Sequence, residues 1–300
     1  MDGSSDRFPG DCEGKRGLPY PYNLDLSEVL HHLNRSTSDR RARLANDPVT
    51  ASYLCAGKRL LDQHMGPGRH CECTAHHESH NLLSFMSQRN VVDALSGIEG
   101  RFPKPSGDGM PMLRDRWPVH KGFIADLISF VVWKENYRPG YQQYRESVTT
   151  RLVFDADFVR AVQETAYWHT AEGVKLPSVR LSLALMAAAE GDPDIAEAIS
   201  TAYRDYLGSW RGLYEDVMQA RGLRLRAGLT IDDLANALSV TTDGIILRAI
   251  GDPAVSVLDH EQQRSLMGTV ALAILNSFLE RDDDHDGLTL EQTVARRLVR

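Results

Sequence analysis

The sequence predicts an all-α fold, and three observations carry this prediction. Apolar residues recur at three- and four-residue spacing along most of the chain, which is the spacing of one helix face. Capping residues and glycines stand at the ends of these segments. No run of useful length alternates apolar and polar residues, as a half-buried strand would. The hydrophobic content of 42% and the charged content of 25% are typical of a globular protein with a buried core.

Composition limits the classes of protein that remain. No apolar stretch approaches about 18 residues and no apolar core follows the first residue, so we expect a cytoplasmic protein with no membrane partner. Four cysteines (Cys12, Cys55, Cys71 and Cys73) do not suggest a disulfide framework. The net charge of −7 argues against wholesale coating of nucleic acid. The net charge does not exclude a local basic face, because six basic residues outnumber four acidic ones over residues 84–121.

The first part of the chain predicts short helices separated by polar loops. A flexible arm is expected over 1–47, with one short helix. Its apolar residues at helical spacing are Leu26, Val29, Leu30 and Leu33. A second helix is predicted from about 48 to 65, where a Gly-Pro-Gly sequence stops it. A third follows a polar loop and ends at Gly97.

The rest of the chain is predicted to be helical almost throughout. Asp192 before Pro193 and Thr230 before two acids are signals for helix starts, and Gly191 and Gly222 suit helix ends. The helices are expected near 120–147, 156–172, 178–190, 193–221, 231–250 and 260–280.

The residues before the first long helix have the order of a helix-turn-helix. Gly109 can cap a short helix, Pro111 falls in its first turn, and Trp117 can fill the small core of the module. Such a recognition helix lies in the major groove of double-stranded DNA, so we expect an operator as partner. The candidate DNA-contact residues are Ser87, Arg89, Met110, Met112, Leu113, Arg114, Arg116, His120 and Lys121.

Two stretches resemble TetR-type (TetR/AcrR-like) transcriptional regulators. The first, LRDRWPVHKGFIADLISFVV from Leu113, is similar to the end of their DNA-binding domain. Its matching positions are Leu113, Trp117, Pro118, His120, Phe123 and Leu127. The second, RGLRLRAGLTIDDLANALSVTTDGIILRAIGDP from Arg221, is similar to the region through which such regulators dimerise.

The resemblance implies a dimeric repressor, not an enzyme, released by a small-molecule effector. It places a helix-turn-helix domain with a divergent turn at 48–130, with insertions at 66–84 and 97–108. A helical effector-binding and dimerisation domain follows at 131–281, then an acidic linker and short helix at 282–300. The candidate ligand-binding residues are Trp133, Tyr137, Phe158, Tyr167, Trp168, His169, Trp210 and Tyr214, with Glu164 and Asp205 as further polar anchors.

The last two long helices carry apolar residues on more than one face, and such a helix needs a second partner. Pairing both helices with those of a second copy makes a four-helix interface in a homodimer. The candidate dimerisation residues are Leu234, Leu238, Ile245, Leu266, Val270, Ile274 and Phe278.

Two other stretches contain metal-binding residue types, but neither predicts a metal. The loop HCECTAHHESH offers Cys71, Cys73, His76, His77 and His80, yet a Cys-x-Cys pair is tighter than usual zinc spacing. DDDHDGLTLEQT ends on threonine where a calcium loop needs glutamate. We therefore expect no metal and no cofactor, and catalytic motifs are absent, so no catalytic residue is assigned.

One alternative remains open from the sequence. A helical ligand- or metal-sensing dimer could keep this fold without recognising an operator. That alternative is favoured if residues 97–108 cover Met110 to Arg114.

Overall fold

The computed structural model describes residues 15, 17–66, 83–136, 138–188, 191–252 and 254–298, without the side chains of 138–141, 187, 188 and 298. In these residues helices dominate and the strands are short, so the predicted all-α class is confirmed. No helix of this described part is both long and apolar enough to cross a membrane. The Cys/His loop and Tyr137 lie outside the described residues.

The helices, in chain order, are α1 Ser38–Ala45, α2 Pro48–Met65, α3 Gln88–Ala94, α4 Met110–Arg116, α5 His120–Val132, α6 Arg138–Phe154, α7 Phe158–Gly173, α8 Pro177–Ala188, α9 Pro193–Arg221, α10 Ile231–Gly251, α11 Leu266–Phe278 and α12 Leu290–Leu298. Short 3-10 turns lie at Leu95–Gly97 and Lys134–Asn136. The strands are β1 Leu223–Leu225, β2 Leu258–Asp259, β3 Arg264–Ser265 and β4 Leu279–Arg281. β1 pairs antiparallel with β4, and β2 with β3.

The chain divides into two compact units. Unit 1 comprises Met1–Asn136 and Ala184–Ser200, and unit 2 comprises Tyr137–Leu183 and Thr201–Arg300.

In unit 1, α2 contacts both α3 and α5. Asp47 caps α2 by accepting from the Val49 N–H at 2.7 Å, and Pro48 begins the helix, as the sequence predicts. Gly57 allows the close approach of α5, because a Cβ there would lie 2.7 Å from Leu127 Cδ2. A larger residue at this position would require the side chain of Leu127 to move.

The segment before α1 corrects two predictions. No helix forms over Leu26 to Leu33, where the chain makes turns instead, and the short helix is α1. The apolar residues are nevertheless buried, with Leu26 and Leu30 at 0% exposure, so a flexible arm is wrong for this segment. The carboxylate of Asp126 accepts from the backbone N–H of His31 at 2.8 Å. A side chain from α5 therefore satisfies backbone groups that a helix would have paired internally.

The helix predicted over 120–147 is two helices. α5 ends at Val132, Trp133 takes an extended conformation, and α6 starts at Arg138. Pro139 lies in the first turn of α6, where its missing N–H costs little, so it marks a helix start that the periodicity concealed.

In unit 2, α7 contacts α6, α10 and α11 around an apolar core. Thr230 and Asp233 form a reciprocal capping box at the start of α10. The last predicted long helix begins six residues later than expected, because the hairpin of β2 and β3 comes first and Ser265 caps α11. These elements place one face of α10 and α11 toward α7.

Candidate nucleic-acid interface and ligand pocket

Helices α2, α3 and α4 form the predicted helix-turn-helix order, with α3 in contact with both others. Gly109 begins α4 at φ 80°, a left-handed conformation that glycine adopts without strain. The Tyr53 hydroxyl donates to the Gly109 carbonyl at 2.6 Å. At the other end, Trp117 is 1% exposed, and its Nε1–H donates to Asp126 at 2.8 Å. Both ends of α4 are thus held to the core of unit 1.

Two of the predicted DNA-contact residues are buried. Leu113 is 0% exposed and Arg116 is 4% exposed, because they share with Trp117 the face of α4 that points inward. Arg116 donates from Nε to Thr50 Oγ1 at 3.1 Å and from a terminal nitrogen to Asp47 at 3.0 Å. In this structure both side chains therefore face the interior of unit 1, and their contact with DNA stays a prediction.

Other predicted contact residues face solvent. Arg114 is exposed, and its Nε donates to Gln88 Oε1 at 3.2 Å. The side chain of Arg89 is 84% exposed. Ser87 is exposed and accepts from the Asn90 N–H as the cap of α3. These side chains remain open to a nucleic acid.

The remaining predicted contacts are partly occupied within the protein. His120 is half-buried, with Nε2 2.5 Å from the Met86 carbonyl oxygen. Lys121 pairs with Asp192 at 2.9 Å, and this interaction raises the pKa of the lysine. Met110 is half-buried.

The turn between α3 and α4 lies mainly along α2. Phe102 is buried against Tyr22 with ring centroids 5.0 Å apart, and the Ser52 hydroxyl donates to the Pro103 carbonyl at 2.7 Å. Near its end, the Ser106 N–H lies 3.2 Å from Met112 Sδ. The turn therefore partly covers Met112 and leaves Arg114 exposed. Its position favours neither operator recognition nor the alternative of a ligand- or metal-sensing dimer.

Unit 2 contains a cavity with an empty volume of about 710 Å³, including the space at its mouth. Its lining is mostly apolar with a few polar side chains, which is typical of a site for a small organic ligand. Four predicted ligand-binding residues line it, namely Phe158, His169, Trp210 and Tyr214. α9 contributes Tyr206 as well, at the same four-residue spacing as Trp210 and Tyr214. Of these three residues of α9, the sequence analysis named Trp210 and Tyr214 and missed Tyr206.

The other predicted ligand-binding residues lie elsewhere. Tyr167 is buried, and its hydroxyl is 2.9 Å from His260 Nδ1. Trp168 is 41% exposed, and Trp133 belongs to unit 1. Of the two further anchors, Glu164 pairs with Arg151 and Arg160, and neither it nor Asp205 lines the cavity.

Sequence reasoning missed the wall that α10 and α11 supply. The small residues Ala235, Ser239, Thr242 and Ala271 line the cavity there. Their signal was present, since 235, 239 and 242 are spaced as one helix face. From the sequence alone, this face of small residues on α10 looks the same as a face that packs in a hydrophobic core.

His169 is the histidine of the cavity wall. Burial lowers its pKa to about 4, because a charged imidazolium would lose its hydration there. Its Nε2 lies 3.0 Å from the Tyr206 hydroxyl oxygen. At neutral pH the imidazole is uncharged, so this polar pair adds no formal charge to the pocket.

The predicted dimerisation residues fall into three groups by exposure. Leu234, Leu238 and Ile245 are 1%, 5% and 7% exposed and are covered by the core of their own unit 2. Leu266 is 48% exposed. The half-buried residues are Val270, Ile274 and Phe278. The apolar outer face of α10 is formed instead by Val240 and Leu247, which are 68% and 56% exposed.

The calcium-like segment takes part in ion pairs with its own unit. Asp286 accepts from Arg226 at 3.3 Å and from Arg296 at 2.5 Å. Among the described residues, no group of three or more His, Cys, Asp or Glu side chains could hold a metal ion. These ion pairs hold Asp286 to residues of unit 2.

Comparison with known proteins bears on the C-terminal part of the chain. Residues 169–276 match the family model described as "BetI-type transcriptional repressor, C-terminal". The match runs from His169 through α9 and α10 into α11, and it leaves out α2 to α4. No curated protein and no solved structure matches. The resemblance to TetR-type regulators is thus confirmed for this region, which is similar to the C-terminal domain of BetI-type transcriptional repressors.

Proposed function

We propose that this protein is a DNA-binding transcriptional regulator, a dimeric repressor that a small-molecule effector releases from its operator. The family match of residues 169–276 carries the proposal. The helix-turn-helix order of α2 to α4 supports a DNA-binding module, and the cavity of unit 2 supports an effector site. Two modules of a dimer would occupy successive major-groove faces of a palindromic operator.

The DNA contacts of this proposal come from the solvent-facing side of α3 and α4. Arg114 is the central residue, because it is the exposed arginine of the recognition helix and can reach guanine or phosphate. Ser87 and Arg89 at the start of α3 would contact the DNA backbone. Leu113 and Arg116 instead hold α4 in place from within.

Arg114→Ala is expected to weaken binding to the preferred operator by roughly tenfold to a hundredfold, the loss of one good base or phosphate contact. Fragmented genomic DNA would be used to select the preferred sequence, followed by titration at two salt concentrations. Arg160→Ala is the matched control, because Arg160 is exposed but lies on α7 in unit 2. Uniform, weak and salt-erased binding by both variants and the unchanged protein would contradict operator recognition.

The dimer of this proposal uses the outer faces of α10 and α11. Val240 and Leu247 stand two helical turns apart, with exposed Gly244 between them, so a second helix could approach closely. Leu266 extends the apolar surface on α11. A four-helix interface made of these faces would be self-complementary.

Leu247→Glu is expected to convert the dimer into a monomer, because a carboxylate buried in an apolar interface is left without a partner. Light scattering after size-exclusion chromatography measures the mass directly. Val159→Glu provides the control, since Val159 is 53% exposed on α7. A Leu247→Glu protein that still has twice the chain mass would place the interface elsewhere.

Effector release would act through α9. This helix carries Tyr206, Trp210 and Tyr214 of the cavity, while Asp194 in its first turn lies 3.3 Å from His32 Nε2. Asp192, just before α9, pairs with Lys121 at the start of α5. A ligand that prefers one position of α9 would therefore bias the α5 end of the DNA-binding module.

A second function has a specific observation in its favour. Leu113 and Arg116 are buried, and Asp108 accepts from the Met110 N–H at 3.0 Å, which puts a carboxylate at the start of α4. Such a carboxylate opposes a phosphate at that position. These features favour a ligand-sensing dimer that keeps the fold without operator recognition, and the DNA selection above separates the two functions.

A further inference from the structure

We infer that the ligand of the unit 2 cavity is an uncharged, flat aromatic molecule with a hydroxyl or carbonyl group. The inference rests on the proposed function in so far as it takes this cavity as the effector site. Its support is the aromatic wall of the cavity, the charge of its walls and two buried hydroxyl groups.

One wall of the cavity is aromatic. On α9, Tyr206, Trp210 and Tyr214 lie on successive turns, and the rings of Trp210 and Tyr214 are 27° from parallel with centroids 5.9 Å apart. The walls from α10 and α11 combine small side chains, including Ala235 and Ala271, with the larger apolar side chains of Leu238, Met267 and Leu275. A flat ring can stack on the aromatic wall of α9 and contact this apolar wall.

The walls of the cavity carry no formal charge among the described lining residues at neutral pH. The imidazole of His169, one of the lining side chains, is uncharged there because burial lowers its pKa. A carboxylate or ammonium group on the ligand would therefore be buried without an opposite charge, which is costly.

A positive charge near one end of the cavity further disfavours a cationic ligand. The Arg221 guanidinium lies over the Phe158 ring, 4.4 Å from its centroid. The same side chain donates to the carbonyls of Leu152 and Asp155 at 2.6 and 2.7 Å. The guanidinium therefore repels a cation, while its hydrogen bonds to those carbonyls compete with an anionic ligand.

Two hydroxyl groups of the lining point to a polar group on the ligand. Thr165 Oγ1 and Ser239 Oγ are buried and have no hydrogen-bond partner among the described residues. Ser239 as a whole is 7% exposed. A buried hydroxyl without a partner is unfavourable, so a ligand that donates to it or accepts from it gains affinity. A carbonyl or hydroxyl does this without introducing charge.

The test uses the full chain without DNA and four probes that share one ring system: naphthol, naphthalene, naphthoate and naphthyl trimethylammonium. Isothermal titration calorimetry measures each affinity. Naphthol is expected to bind at least about tenfold more tightly than either charged probe, since the charges would be buried unpaired. Tighter binding of a charged probe, or no binding of naphthol, would overturn the inference.

Ser239→Ala tests the hydroxyl contact. The variant is expected to bind naphthol about fivefold more weakly, as for the loss of one hydrogen bond, and naphthalene equally well. Ser209→Ala is the control, because the Ser209 hydroxyl already donates to the Asp205 carbonyl and Ser209 does not line the cavity. Unchanged naphthol binding in Ser239→Ala would contradict the assigned contact.

The ligand inference and the repressor proposal fail in different experiments. A chain that binds naphthol as expected but selects no operator keeps the ligand class and loses the repressor function. A chain that selects an operator and ignores naphthol loses the ligand class alone.

Discussion

Asp126→Ala is expected to lower the free energy of unfolding of unit 1 by about 3 to 5 kcal/mol, the cost of breaking a buried charged network. Asp126 is 0% exposed and accepts from the backbone N–H groups of His31 and His32 at 2.8 and 3.1 Å. Its second oxygen accepts from Trp117 Nε1 at 2.8 Å. Alanine would leave these donors without an acceptor, and the indole N–H of Trp117 is buried.

Urea unfolding followed by tryptophan fluorescence measures this loss, because Trp117 reports on the same network. Asp115→Ala is the matched control. Asp115 is exposed and pairs with Arg35 at 2.7 Å, and such surface pairs contribute at most about 1 kcal/mol. Equal effects of the two substitutions would mean that the Asp126 network does not hold the segment before α1 to α5.

Arg226→Met is expected to destabilise unit 2 by about 3 to 5 kcal/mol, because it leaves a buried carboxylate unpaired. One terminal nitrogen of Arg226 lies 2.8 Å from Glu280 Oε1 and donates to Thr293 Oγ1 at 2.9 Å. Its Nε donates to the Ser277 carbonyl at 3.0 Å. Glu280 is 8% exposed, so water cannot fully replace the lost partner.

The double substitution Arg226→Met with Glu280→Leu separates the cost of the unpaired Glu280 carboxylate from the loss of the hydrogen bonds of Arg226. Since an apolar pair can replace a buried ion pair at little cost, the double variant should recover part of the stability lost by Arg226→Met. Arg281→Met, which breaks an exposed pair with Asp283, serves as the control. A double variant less stable than Arg226→Met, measured by urea unfolding, would show that the hydrogen bonds of Arg226 matter more than the unpaired charge.

Local signals in the sequence predicted several helix starts correctly. Asp47 before Pro48 and Asp192 before Pro193 mark α2 and α9, and Thr230 with Asp233 marks α10. These signals work because a cap satisfies N–H groups within its own helix, whatever the rest of the chain does.

Contacts between distant parts of the chain determine the conformation and burial that the sequence did not predict. Residues 26–33 have helical spacing but form turns, because Asp126 from α5 satisfies their backbone. The sequence gives no sign that Arg116 is buried. In the structure, its hydrogen bonds to Thr50 and Asp47 hold it inside unit 1.

The sequence by itself determined the all-α class, the starts of α2, α9 and α10, and the resemblance of the C-terminal region to TetR-type regulators. Only the tertiary structure decided which side of each helix faces a partner within the chain. Leu238 thus belongs to the cavity and core, while Leu247 on the same helix faces solvent. The physical reason is that apolar spacing shows that a face is buried, whereas the packing of neighbouring helices determines what covers it.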